Sequence, residues 1–131
     1  MEGLKTLKSN FAPEKTLERL EAEIKAHGMT VFARINHAAS AAEVGLILLP
    51  TEVILFGNPR GGTPLMIDRQ TAGIDLPVKA LAWEDAEGKV WLTYNDARWL
   101  AERHGLGPHS VDAVDAIAAG LSSLAEEATA P

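Results

Sequence analysis

The sequence contains no cysteine among its 131 residues. Disulfides, thiolate nucleophiles, zinc ribbons and iron-sulfur clusters are therefore excluded within this chain. Long apolar runs are also missing, because the longest candidate, residues 44–56, is broken by Pro50, Thr51 and Glu52. A transmembrane helix needs roughly 20 apolar residues, so we expect no membrane partner.

An excess of basic residues is lacking too. Lys and Arg total 12 against 18 Asp and Glu, which gives a formal net charge of -6, and the basic residues are scattered along the chain. This balance opposes the phosphate neutralisation that drives nucleic-acid binding, so we expect no nucleic-acid partner. Residues 1–12 have no apolar block, which predicts the absence of a secretory signal and a cytoplasmic location.

The remaining composition is that of an ordinary globular protein. Apolar residues make up 47% of the chain, charged residues 23% and aromatic residues 5%. A chain of this length buries roughly two-thirds of its unfolded surface, which is enough for one core. We therefore predict a single domain over residues 1–131.

Hydrophobic periodicity and breaker residues predict the elements. In chain order we predict a strand over 3–9, a helix over 13–28, a strand over 29–36, a short helix over 38–45, a strand over 51–56, a helix over 64–72, a hairpin of strands 78–84 and 89–94, a helix capped by Asn95 or Asp96 and ended by Gly105, and a last helix from Ser110. In strand 29–36 the alternation predicts Val31, Ala33 and Ile35 on one face. This order indicates an α+β fold, with an antiparallel or mixed sheet layered with helices.

Several segments carry a resemblance to a known family. They are His37-Ala38-Ala39, Val44-Gly45-Leu46, the run from Pro50 to Pro59, the run from Gly62 to Met66, Asp75-Leu76-Pro77 and the run from Val90 to Asn95. In combination they resemble the family catalogued as "domain of unknown function 302", over residues 14–105. The resemblance implies a fold like that of the TATA-box-binding protein and a tendency to self-associate, and we expect a homodimer. It implies no activity, and residues 106–131 form a C-terminal helical extension beyond it.

The segment from Asn58 to Thr63 is the first candidate site. Asn58, Arg60, Gly61, Gly62 and Thr63 form a glycine-rich stretch between a strand and a predicted helix, with Thr63-Pro64 suited to the N-cap and first turn. Such a turn can present backbone N–H groups to an anion, and an arginine adds a bidentate partner for carboxylate or phosphate. The glycines match neither a P-loop nor a dinucleotide fingerprint. The alternative is that they only make a tight turn.

Three further residues are candidates for the same ligand. His37 ends a strand in phase with its apolar face, which suits a buried acid or base, or a histidine that only bonds to backbone. Tyr94 and Asn95 end a hairpin strand, where they can orient a ligand, or serve core packing and helix capping.

Other chemistries lack a matching pattern. His27, His104 and His109 have neither helical i,i+4 spacing nor a carboxylate partner in sequence, so we expect no metal site. No Gly-x-Ser-x-Gly elbow occurs. We expect no cofactor.

Three hypotheses of function follow. The first is a non-catalytic, self-associating domain that binds a small anionic or polar ligand near Asn58–Thr63, and it predicts a pocket there. The second is an enzyme that uses His37 as general acid or base. The third is a protein-interaction module built from Trp83, Trp91, Trp99 and the acidic last helix.

Overall fold

The structure is a computed structural model that describes all residues from Met1 to Pro131. Its elements in chain order are β1 (Leu4–Lys8), α1 (Pro13–Ala26), β2 (Thr30–Asn36), α2 (His37–Glu43), β3 (Thr51–Gly57), α3 (Pro59–Asp68), a 3-10 turn (Gln70–Asp75), β4 (Val78–Glu84), β5 (Val90–Asn95), α4 (Ala97–His104), a 3-10 turn (Pro108–Ser110) and α5 (Val111–Thr129). No helix is both long and apolar enough to cross a membrane.

The five strands form one sheet in the order β1-β5-β4-β3-β2, and every neighbouring pair is antiparallel. The predicted α+β class is thus confirmed, and the sheet is antiparallel throughout. Because side chains alternate along a strand, the sheet has two distinct faces. The core face carries Ile54, Phe56, Ala80, Ala82 and Leu92, which are at most 2% exposed.

The helices cover this core face. Leu17, Leu20 and Ile24 of α1 and Leu121 and Leu124 of α5 join the strand residues in the main hydrophobic cluster. A smaller cluster links Leu65 of α3, Ala97 of α4 and Val114 of α5. Apolar burial of this kind is the main stabilising contribution to the fold. The opposite side of the sheet, which we call the outer face, carries Ile35, Val53, Leu81, Trp83 and Trp91.

A β-bulge in β2 overturns the predicted alternation of that strand. Val31 lies opposite Phe56 and Ala33 opposite Leu55, so Phe32 is an extra residue without a partner. The bulge moves Ala33 and Ile35 to the outer face, while Val31 packs against the core. A bulge shifts the period by one residue, and alternation read from sequence does not reveal it.

The predicted start of α3 is also wrong. The helix begins at Pro59, with Asn58 as its N-cap, and Pro64 lies inside it instead of opening it at Thr63. Asn58-Pro59 and Thr63-Pro64 both have the residue types of an N-cap followed by a first helical position. The chain uses the first pair, and Gly61 and Gly62 become helical residues. The helix ends at Asp68, so Gly73 lies in the following 3-10 turn and does not stop it.

Candidate functional site

A cavity of about 690 Å³ lies beside the first turns of α3. Its walls come from the end of β3, from α3, from Leu76-Pro77-Val78 and from one stripe of α5. Asn58, Arg60, Gly61, Gly62 and Thr63, all candidates from the sequence, line it. The volume falls within the roughly 300–1,000 Å³ that is usual for small-molecule sites.

The wall on α5 follows the helical period. Ala113, Ala116, Ile117, Gly120, Leu121 and Leu124 line the cavity, at spacings of three and four residues that define one face of a helix. Gly120 leaves this wall open, because a Cβ placed there would meet no atom within 4 Å. Met29, Phe32, Leu55 and Met66 add apolar surface from the other side. The cavity is therefore mainly apolar.

Arg60 is the only charged residue among those that line the cavity. It is exposed, and it forms no salt bridge in the structure. Asn58 and Thr63 are the polar, uncharged side chains of the lining. A guanidinium at the edge of an apolar space can bind a carboxylate or phosphate without first breaking an internal ion pair.

The backbone N–H groups at the start of α3 are engaged within the chain. The Arg60 N–H donates to Asn58 Oδ1 at 2.9 Å. The Gly61 and Gly62 N–H groups donate to the Asn58 carbonyl at 2.9 and 3.1 Å. The expected cradle of open N–H groups is thus replaced by a capped helix. The N–H groups of residues 60–62 are therefore not free to bind an anion, and the Arg60 side chain carries the only positive charge of the lining.

Hydrogen bonds connect the end of α3 to the residues just before α5. Asp68 Oδ2 accepts hydrogen bonds from the Ser110 hydroxyl at 2.6 Å and from the Gly107 N–H at 2.8 Å. The hydrogen bond from Ser110, and to a smaller extent the one from Gly107, holds the pKa of Asp68 below its ordinary value, because both bonds favour the charged carboxylate. A contact between residues 42 positions apart in sequence thereby fixes the relative position of the two helices that form the cavity.

Tyr94 and Asn95 do not line the cavity. Tyr94 lies opposite Ala80 in the sheet and packs against the main hydrophobic cluster. Asn95 Oδ1 accepts a hydrogen bond of 2.8 Å from the Lys79 N–H, which ties β5 to the start of β4. The structure thus places both residues in supporting positions. The N-cap of α4 is Asp96, whose side chain accepts from the Arg98 and Trp99 N–H groups.

His37 lies far from the cavity along the strand. It is the first residue of α2, after Asn36, which pairs with Glu52, whereas the cavity lies beyond Gly57, at the other end of β3. The expected burial of His37 is wrong, because β2 is an edge strand that ends before it and leaves the ring exposed. His37 makes no hydrogen bond or ion pair with another titratable side chain, as an acid or base role would require.

A polar cluster that the sequence did not reveal joins α4 to the 3-10 turn after α3. His104 Nε2 lies 2.5 Å from Asp75 Oδ2, and His104 Nδ1 lies 3.2 Å from Thr71 Oγ1. Arg103 also contacts the Asp75 carboxylate. The histidine side chain is 7% exposed, and none of the residues of this cluster lines the cavity beside α3. No group of three potential metal ligands occurs in the structure.

The sequence profile of the family described as "Domain of unknown function DUF302" matches residues 5–127. The chain belongs to this family. The match extends past residue 105 and includes most of α5, so it takes in both walls of the cavity. This DUF302 chain also resembles a solved structure, the "uncharacterized conserved protein DUF302 from Bacillus stearothermophilus", with a TM-score of 0.86 over 98% of this chain and 99% of that one. At 19% identity, that similarity shows the shared fold.

Three curated relatives of this DUF302 chain come from Brucella. "Fluoride-specific ion channel FluC 1" of Brucella suis biovar 1 (strain 1330) is 52% identical over 126 residues, which cover 96% of this chain and 50% of the relative. The proteins of the same kind from Brucella abortus and Brucella melitensis are also 52% identical, with 47% of each covered. The chain thus spans about half the length of the curated relatives it matches.

Proposed function

We propose that this domain binds a small amphipathic anion, with its apolar body in the cavity and its charged head at Arg60, and does not transform it. The observation that carries this proposal is the composition of the cavity wall: a mainly apolar space of about 690 Å³ with one cation at its edge. The proposal narrows the first hypothesis from the sequence, in which any small polar anion was a candidate.

The apolar lining of the cavity favours a ligand with an apolar body. Leu76, Ile117 and Leu121 present aliphatic surface to the cavity, and burying each CH₂ group of a ligand against such surface contributes about 0.8 kcal/mol. A small inorganic anion would leave this surface in contact with water or with nothing. A hydrocarbon chain or ring system fits the wall, and an anion alone does not.

The positive charge of Arg60 favours a ligand with an anionic head group. The chain has a net charge of -6, so its overall electrostatic field repels anions. An anionic ligand must therefore be attracted by a positive charge close to the position where it binds. Arg60 is the one residue of the wall that supplies a positive charge, and the Thr63 hydroxyl adds a neutral hydrogen-bonding group near it. A guanidinium forms paired hydrogen bonds with a carboxylate or phosphate, which makes it selective for such heads.

The absence of acid-base groups from the wall favours binding over catalysis. No carboxylate, imidazole, phenol or amine lines the cavity, and general acid-base chemistry needs such a group within hydrogen-bond reach of the substrate. His37, the candidate of the enzyme hypothesis, is separated from the cavity by the length of β3.

Thermal unfolding with three probes tests the proposal. Dodecanoate below its micelle concentration should raise the midpoint, because a ligand that binds only the folded state stabilises it by RT ln(1 + [L]/Kd). Dodecyltrimethylammonium, with the same chain and the opposite charge, should give a smaller shift, and acetate should give none. Equal shifts from both dodecyl compounds, or a shift from acetate alone, would contradict the proposal.

The curated relatives favour a second candidate function, an attached domain of a membrane channel. They are named fluoride-specific ion channels, and this chain matches about half of each. No helix here can cross a membrane, so under this proposal the conducting segments lie in the other half of those proteins. Fluoride efflux from vesicles containing the Brucella suis protein, with and without the matched half, tests it. Identical rates and identical protein yields would count against a role in the channel.

A further inference from the structure

The β-bulge in β2 brings an aromatic residue to the cavity. In an uninterrupted strand Phe32 would lie opposite Leu55, because Val31 lies opposite Phe56. The bulge instead leaves Phe32 without a partner on β3, and Phe32 lines the cavity. Bulges beside binding sites commonly re-aim a side chain in this way. Phe32 is 54% exposed, so much of its surface is available to a ligand.

Two methionines lie on the same side of the cavity. Met29 and Met66 both line it, and they are two of the three methionines in the chain. The thioether of methionine is polarisable and makes favourable contacts with the edge of an aromatic ring. Together with Phe32, these side chains are suited to contact a ring more than an alkyl chain.

The walls on α3 and α5 are smooth and converge. Five lining residues of these helices have no side-chain atom beyond Cβ: Gly61, Gly62, Ala113, Ala116 and Gly120. An added Cβ at Gly61 would lie 3.9 Å from the Ile117 side chain, whereas one at Gly120 would meet no atom within 4 Å. The space between the helices therefore narrows at Gly61 and widens at Gly120. A flat ring can enter such a tapering space and contact atoms on both of its faces.

We infer that the apolar body of the ligand is a planar aromatic ring system and that Phe32 determines this specificity, an inference that rests on the binding proposed above. The ligand class is then an aromatic anion, with its ring against Phe32 and its acidic group at Arg60. Aromatic pairs prefer offset-stacked or edge-to-face arrangements, which stabilise a complex beyond the contribution of the buried area.

The planar guanidinium of Arg60 suits the same ligand class. It binds a carboxylate through two parallel hydrogen bonds, which fixes the orientation of the acidic group. An acid attached directly to a ring then fixes the orientation of the ring as well. An alkyl chain loses rotational freedom at each of its bonds when it is bound, and a rigid ring avoids this cost.

Isothermal titration calorimetry with two carboxylates of the same carbon skeleton tests this inference. 2-Naphthoate is flat and aromatic, whereas decahydro-2-naphthoate is saturated and puckered. The two compounds bury similar apolar area, so a wall without ring recognition would bind them about equally. The wild type should bind 2-naphthoate about two- to tenfold more tightly, which is the range expected for an aromatic pair.

Phe32→Leu should remove this preference and leave the affinity for the saturated compound unchanged. The residue is 54% exposed and the substitution keeps it apolar, so folding should be unaffected. Phe11→Leu is the matched control. It makes the same change at a residue outside the lining, so the preference for 2-naphthoate should remain.

Equal affinities of the wild type for the two compounds, tighter binding of the saturated one, or an equal loss of both in Phe32→Leu would each overturn the inference. Dodecanoate, titrated in parallel, separates the two proposals. If dodecanoate binds and 2-naphthoate is not preferred over its saturated form, the ring specificity alone is wrong. If none of the three compounds binds, the proposed function is wrong as well.

Discussion

The carboxylate of Asp68, the last residue of α3, accepts a hydrogen bond of 2.6 Å from the hydroxyl of Ser110, the residue before α5. Ser110 is 2% exposed, and the Gly107 N–H donates to the same carboxylate oxygen. The two helices joined here are the two that face each other across the cavity. The shape of the site therefore depends on a contact outside it.

Replacing Asp68 should destabilise the protein in a pH-dependent way. The pKa of Asp68 is lowered in the folded state, so its contribution is present above the unfolded-state pKa of about 3.9 and is lost as the pH falls through the folded-state pKa. Asp68→Asn should therefore reduce the free energy of unfolding at pH 7, and the difference from wild type should shrink below about pH 4. Urea unfolding at both pH values measures this. Glu126→Gln, at an exposed helix position without an ion pair, is the control, and a pH-independent difference for Asp68→Asn would contradict the assignment.

Substitutions at Gly120 should separate stability from binding. Gly120→Ala should stabilise the protein by about 0.5–1 kcal/mol, because glycine in a helix interior is unfavourable and the added Cβ meets no atom within 4 Å. Gly120→Leu should place a side chain in the cavity and abolish dodecanoate binding. Thermal unfolding and isothermal titration calorimetry measure the two effects. Ala119→Leu, one residue away and outside the cavity lining, should bind dodecanoate normally.

Removing the charge of Arg60 should weaken binding without affecting folding. Arg60→Ala should lower the affinity for dodecanoate about tenfold, because one charge-assisted contact at an exposed edge contributes on the order of 1–2 kcal/mol. Dodecanol, which has no charge, should bind both proteins equally. Arg69→Ala removes the same charge just after α3, outside the lining, and serves as the control. If Arg60→Ala and Arg69→Ala weaken dodecanoate binding equally, the effect is that of net charge and Arg60 is not the head-group site.

A substitution at Gly3 tests how closely Trp99 packs against the residue that precedes β1. Gly3 has φ +81°, and an added Cβ would lie 2.9 Å from the Trp99 ring, closer than real Cβ atoms approach. Gly3→Ala should therefore combine backbone strain with a steric clash. Gly28→Ala, at φ +73° with no atom within 4 Å, has the strain alone. Chemical unfolding should show Gly3→Ala to be the more destabilised by about 1–3 kcal/mol, and equal losses would mean that Trp99 moves aside freely.

Local patterns were sufficient to predict most of the fold. Leu17, Leu20 and Ile24 repeat at helical spacing and are all buried in α1, and Gly28 and Gly105 adopt the left-handed conformation expected at helix ends. Where two local signals were equivalent, prediction failed. Asn58-Pro59 and Thr63-Pro64 are both adequate helix starts, and the chain uses the first, in a helix whose Leu65 packs in the same cluster as Val114 of α5.

Only the part of the candidate site that is contiguous in sequence could be predicted. Asn58, Arg60 and Thr63 are neighbours in sequence, and the glycines between them marked the segment. The opposite wall comes from Ile117, Gly120 and Leu121, more than fifty residues later, and no local signal connects it to α3. Similarly, the meeting of His104 with Asp75 and the bulge at Phe32 depend on contacts between distant segments.

The most direct test of amphipathic anion binding is a map of backbone amide chemical shifts during titration with dodecanoate. The account predicts saturable shifts at Asn58, Gly61, Gly62, Thr63 and Gly120, with little change at residues 44–49. Saturable shifts confined to residues 44–49 and the outer face, with the amides of α3 unmoved, would contradict it. That pattern would show that the hydrocarbon binds the exposed aliphatic side chains of residues 44–49 instead of the cavity.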